Sequence, residues 1–171
     1  MDLPLHPMVV HLPIALAAML PPVLIAILWR RRERPGPERE WRIAVLLSVV
    51  LAISASIAVN TGEEDEEIVE HTVSESALEI HEDRADAFLY LAWLVAGVAA
   101  VGLVQGSTGR IARFATAGCS IVLLVAAVRV GHAGAELVYR HGAAQAHLVD
   151  GAARLRPHAG EVNHHDDDDD D

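Results

Sequence analysis

Histidines are the residues of this chain best suited to coordination chemistry, and they occur around the ends of its apolar runs. Two of the ten, His132 and His141, fall in RVGHAGAELVYRHG at 129–142, directly after an apolar run long enough to cross a bilayer. Four more lie near other apolar runs: His6, His11, His71 and His81. Imidazole ligates haem iron and other metals, and ionisable groups at membrane depth usually belong to a functional site. The pattern predicts a ligand site near one membrane surface, built from several helices.

The elements that must position these histidines are four apolar runs, each near the 17–25 residues, roughly, of a membrane-spanning helix. They comprise residues 9–29, 43–59, 88–104 and 111–130. Apolar residues make up 52% of the 171 residues and aromatic residues only 4%, so small and aliphatic side chains supply the apolar mass. Small side chains let membrane helices approach closely. The sequence predicts an all-α fold, a four-transmembrane-helix bundle.

Charges in the connections predict how the bundle crosses the membrane. The 30–42 connection carries six arginines, whereas the 61–86 connection carries eleven acids and one arginine. Arginine-rich loops stay in the cytoplasm, so we expect the acidic connection and both termini on the outer, periplasmic side of a bacterial inner membrane. Trp29 and Trp41 are expected to anchor the cytoplasmic interface, where indole rings are enriched.

The acidic connection has helix signals of its own. TGEE at 61–64 and SALE at 76–79 match the capping-box pattern. They predict a short acidic outer helix over 62–70 and a second helix that runs from Ala77 into the third span. Residues 1–150 are expected to form the membrane domain, and residues 151–171, which end in six aspartates, a disordered acidic tail.

A b-type haem is the first ligand that the histidines suggest. His11 lies 18 residues before Trp29, about 27 Å along a helix, and His132 follows the fourth apolar run, so the two are expected at similar depth. Arg129 is placed to pair with a haem propionate. Gly131 and Gly134 would let a flat macrocycle approach the helix backbone. A second haem would use His6 or His71 together with His81.

A non-haem metal site is the alternative. Carboxylates and imidazoles together form the mixed ligand set that iron, manganese or zinc uses in helical bundles. The sequence departs from the Glu-x-x-His repeat of di-iron bundles, so a mononuclear site is the version left open. The candidate ligands are His71, His81, Glu67, Glu82 and Glu136.

A third interpretation is that the protein is a structural subunit without a cofactor. The acidic outer segment would then dock a cationic partner or another subunit, because dense like charge steers oppositely charged proteins. The acidic exterior argues against nucleic-acid binding, and the chain has neither a P-loop nor a G-x-S-x-G elbow. These features favour an electron carrier or accessory subunit over a stand-alone enzyme.

The motifs HPMVVHLPIAL, TGEE, HED and GHAGAELVYRHG, spread over residues 5–142, together resemble a family of small bacterial four-helix membrane proteins that is a domain of unknown function. The resemblance implies a redox membrane setting, in which relatives accompany Rieske iron–sulfur proteins or c-type cytochromes. It supplies no established activity. The expectation from residues and resemblance together is an electron-transfer subunit with haem b on its periplasmic face, and with respiratory-complex subunits, a Rieske protein or a c-type cytochrome as partners.

Overall fold

The computed structural model describes the backbone of residues 6–33, 39–69 and 75–139, and the side chains of residues 8–31, 39–62 and 75–139. All of its regular structure in those ranges is helical. A single turn of helix leads into four long helices. The five are α1 (His6–Val9), α2 (His11–Glu33), α3 (Arg39–Val69), α4 (Glu75–Val101) and α5 (Ser107–Tyr139).

The four long helices form a closed ring of antiparallel neighbours. Contacts join α2 to α3, α3 to α4, α4 to α5 and α5 back to α2, while α1 packs on α2 and α3. Alternating direction gives the bundle two chemically different ends. The histidine end holds His11, His81 and His132, at the starts of α2 and α4 and near the end of α5. The arginine end holds Arg30, Arg42 and Arg110.

The distribution of side-chain size is that of a membrane bundle. All four long helices are long and apolar enough to cross a membrane, over His11–Arg31, Arg39–Gly62, Glu75–Val101 and Ser107–Tyr139. Alanine recurs through the buried core, whereas many large apolar side chains are exposed on the outside. Lipid is as apolar as leucine, so close packing of small residues, rather than burial of large ones, holds such helices together. The predicted all-α four-span architecture is confirmed.

Hydroxyl groups in the core are satisfied within their own helices. Ser48 donates to the carbonyl of Ala44 at 2.9 Å, and Thr116 donates to the carbonyl of Ala112 at 2.7 Å. Each bond runs back four residues, the usual way for a small hydroxyl to be buried in a membrane helix. These two hydroxyl groups therefore add little polarity to the helix contacts. The small size of the two side chains lets the helices approach closely.

The arginine end is closed by a buried tryptophan, which corrects one prediction. Trp41 is 0% exposed, and its Nε1 donates to the carbonyl of Ala99 at 2.9 Å. The guanidinium of Arg113 lies 5.8 Å from the centre of the indole ring, and its Nε donates to the carbonyl of Gly102 at 2.7 Å. Trp41 thus joins α3 to α4 and α5 and is not a lipid-facing anchor. Trp29, 64% exposed, keeps the position expected of one.

The acidic segment is helical, as predicted, but it is not a separate element. Helix α3 runs without interruption from Arg39 to Val69, so the acidic residues extend the second span. Its 31 residues correspond to about 46 Å, more than the hydrocarbon thickness of about 30 Å. Helix α4 begins at Glu75, two residues before the expected start. The predicted tail, residues 151–171, lies outside the described residues.

Candidate functional site

At the histidine end, the first turns of α4 pack against the last turns of α5. Phe88 on α4 and Ala133 and Leu137 on α5 are buried there. The Nη1 atom of Arg84 donates to the carbonyl of Arg129 at 3.4 Å and links the two helices. Sequence reasoning missed this link, because a bond to a backbone carbonyl leaves no pattern in residue types. The packing fixes where His81 and His132 can point.

His81 is the described histidine that faces the interior. It lies seven residues, about two helical turns, before Phe88 and therefore on the same side of α4. Its Nδ1 atom is buried, and its ring rests against Gly134 of α5. A Cβ on Gly134 would lie 3.2 Å from Cε1 of His81. Gly134 thus provides space for this imidazole, and its expected contact with a macrocycle stays a prediction.

Gly134→Ala tests this close approach. The added methyl group presses on the His81 ring at a cost of about 1 kcal/mol, the low end for overpacking, so Gly134→Ala should lack the gain of about 1 kcal/mol that alanine otherwise brings inside a helix. Gly131→Ala is the matched control on the same helix, since a Cβ there meets nothing within 4 Å. The measurement is the unfolding midpoint of each variant in detergent. Equal midpoints for the two variants would contradict the described packing.

His132 faces away from the interior. It follows the buried Leu123 by nine positions, which is a rotation of about 180° around α5. Its side chain is 70% exposed, and Nδ1 lies 4.0 Å from Oε2 of Glu136 one turn further on. The expected shared face of His132 and Glu136 is therefore present. It is on the outer surface of the bundle.

His11 also lies on the outer surface. It precedes the buried Ala17 by six positions, a rotation of about 120° away from the core side of α2. The residue is exposed. Because α2 and α5 are neighbours and antiparallel, His11 and His132 occupy the same end of two adjacent helices. The structure thus brings two exposed imidazoles to one end without turning either inward.

These positions decide where a haem fits. Between α4 and α5, the ring of His81 lies against Gly134 and occupies the space beside this glycine. The outer surface fits better: His11 and His132 are accessible, and the exposed Arg129 lies three residues before His132. A haem held by His11 and His132 would therefore lie outside the core, against α2 and α5.

The candidate metal ligands are dispersed where they are described. Across 8–31, 39–62 and 75–139, no three histidine, cysteine or acidic side chains lie together as a metal site. Glu82 is exposed on α4, while His81 points inward. The side chains of His6, Glu67 and His71 lie outside the described residues, so their predicted roles stay predictions.

Four antiparallel helices with an alanine-rich core, large apolar side chains outside and opposite charges at the two ends define a multi-pass integral membrane protein. Residues 2–147 match the family model described as "Predicted membrane protein (DUF2231)", and the chain belongs to this family. This confirms the resemblance drawn from the motifs. No curated protein and no solved structure matches the chain.

Proposed function

We propose that the protein is a redox-associated subunit of the bacterial inner membrane, and that His11 and His132 ligate a b-type haem on the outer surface of the histidine end. One observation carries the proposal: adjacent helices each present an exposed imidazole at the same end of the bundle. A haem iron held by imidazoles carries one electron between its ferrous and ferric states. Arg129 is positioned to neutralise a propionate.

The ligand requirement favours haem over a non-haem metal. A haem brings four of its own nitrogen atoms and needs only one or two imidazoles from the protein. Zinc or iron bound by protein alone takes three or more side chains, and the candidate ligands Glu67 and His71 lie outside the described side chains. A site outside the core also implies a second protein surface that covers the haem. We propose a c-type cytochrome, a Rieske protein or another respiratory subunit in that role.

The side of the membrane follows from charge. Described cationic side chains dominate the arginine end, and acidic ones dominate the first turns of α4 at the histidine end. Positive residues stay in the cytoplasm, so we propose that the histidine end and both termini are periplasmic. Reporter fusions to each terminus test this assignment. If the termini are periplasmic, a fused enzyme that is active only in the periplasm should be active at both termini.

The haem proposal is tested on the full-length protein purified in mild detergent from haem-replete cells. We expect haem b in fixed proportion to the chain, with no comparable zinc or non-haem iron by elemental analysis. A colourless protein that carries one metal per chain would support the alternative metal site. A colourless, metal-free protein that purifies within a larger complex would support a structural accessory subunit.

A further inference from the structure

We propose that the arginine end binds anionic phospholipids, with Arg42 and Arg110 holding phosphate head groups and the apolar residues beside each arginine contacting the acyl chains. The inference concerns the end of the bundle opposite the histidines and does not depend on a haem. It rests on the arrangement of exposed side chains on α3 and α5.

Two helices repeat the same exposed pattern at this end. On α3 the exposed Arg42 is followed by Ile43, 52% exposed, and Leu46, 61% exposed. On α5 the exposed Arg110 is followed by Ile111, 69% exposed, and Phe114, 62% exposed. Leu46 and Phe114 lie four residues after their arginine and three after the isoleucine, so each of them is a surface neighbour of both, and the charge lies at the end of an apolar strip. A phospholipid has the same order of parts, a charged head and an apolar chain.

Charge at this end favours an anionic lipid over a zwitterionic one. Glu40 is the sole carboxylate among the described side chains there, and it lies 3.6 Å from Arg30. Guanidinium groups bind phosphate oxygens in pairs, and a basic residue near an anionic surface contributes about 1 kcal/mol, roughly a fivefold change in affinity. The described cations are Arg30, Arg31, Arg39, Arg42, Arg110 and Arg113.

The apolar strips distinguish a lipid from a soluble anionic partner. Ile43, Leu46, Ile111 and Phe114 lie within the segments long and apolar enough to cross a membrane. A soluble acidic protein could contact the arginines but would leave those strips to the bilayer. A phospholipid contacts the charge and the strip together. The arrangement therefore favours lipid bound at fixed positions around α3 and α5.

The test uses the full-length protein in nanodiscs that contain equal amounts of phosphatidylglycerol and phosphatidylcholine, followed by native mass spectrometry of the lipids that remain bound. We expect the wild type to retain phosphatidylglycerol selectively. Arg42→Gln with Arg110→Gln should weaken that selectivity by about fivefold for each arginine. Arg30→Gln with Arg31→Gln removes the same charge from α2 at the same end, away from both apolar strips, and should keep most of the wild-type selectivity.

Arg42→Lys with Arg110→Lys is a control for misfolding of the substituted protein. It preserves the charge and should keep most of the selectivity for phosphatidylglycerol. If both pairs of glutamine substitutions lowered the selectivity for phosphatidylglycerol to the same extent, the effect would be one of general charge and the proposed lipid site would be wrong. So would equal retention of the two lipids by the wild type. Displacement of the bound lipid by inorganic phosphate alone would also overturn it, because the acyl-chain contacts would then contribute nothing.

Discussion

Trp41→Ala is expected to destabilise the bundle by about 3–5 kcal/mol, as large aromatic-to-alanine changes do in cores. The change removes a fully buried indole and its hydrogen bond to the carbonyl of Ala99. It also removes the ring beneath the guanidinium of Arg113. Three helices meet at this side chain, so the cavity would lie where α3, α4 and α5 are held together.

The single cysteine provides a direct readout of this effect. Cys119 is partly buried on α5, so a thiol-reactive dye should label it faster as the bundle unfolds on heating. Trp29→Ala is the matched control, because that indole is 64% exposed and its loss leaves the core intact. We expect a clearly lower labelling midpoint for Trp41→Ala only. Similar midpoints for the two variants would mean that Trp41 is an interface anchor after all.

Gly102→Ala examines the same packing from the turn that follows α4. A Cβ at Gly102 would come within 2.7 Å of Cε2 of Trp41, so the ring or the helix must shift. Overpacking of this kind costs about 1–3 kcal/mol. Gly97→Ala, on α4 itself, is its control, since a Cβ there meets nothing within 4 Å. The same thiol assay should separate the two variants.

The spans were predictable because they depend on run length and composition alone. An apolar run of sufficient length has few alternatives to crossing a bilayer, and the structure has all four. The acidic segment was predicted as a separate helix but is the end of α3. A capping-box pattern did not distinguish the two, because it also occurs within a longer helix. TGEE lies inside α3, where the preceding turns already supply hydrogen-bond partners for its backbone.

The sequence led us to expect an exposed Trp41 because tryptophan is typical of membrane interfaces. That preference alone does not say which side of the helix the residue occupies. Trp41, Ala44 and Ser48 recur at intervals of three and four residues and face the core together. That periodicity was present in the sequence. The contact of Trp41 with Gly102 was not predictable from the sequence, because it joins α3 to the turn that follows α4.

The positions of the histidines were likewise predictable in part. Their grouping at one end followed from the alternating direction of the spans. Depth alone, however, does not say which side of a helix a residue occupies. His11 and His132 lie at one end but on outward surfaces, while His81 faces inward against Gly134. This difference moves the proposed haem from the interior to the outer surface of α2 and α5.

Substitution of the two exposed histidines should have the largest effect on any bound haem. His11→Ala or His132→Ala removes a proposed ligand and should abolish or strongly reduce the haem signal. Neither imidazole is buried, so we expect the unfolding free energies of the haem-free variants to lie within about 0.5 kcal/mol of the haem-free wild type, as for other surface changes. His81→Ala is the contrasting variant, because it should lower stability through lost packing against Gly134 while the haem remains.

The most direct measurement is the reduced-minus-oxidised visible spectrum of the purified wild type, His11→Ala, His132→Ala and His81→Ala, each expressed with ample haem. The proposal predicts a haem α-band in the wild type and in His81→Ala, and its loss in the other two. A wild type without an α-band, or a band lost only in His81→Ala, would contradict a haem held on the outer surface of the histidine end.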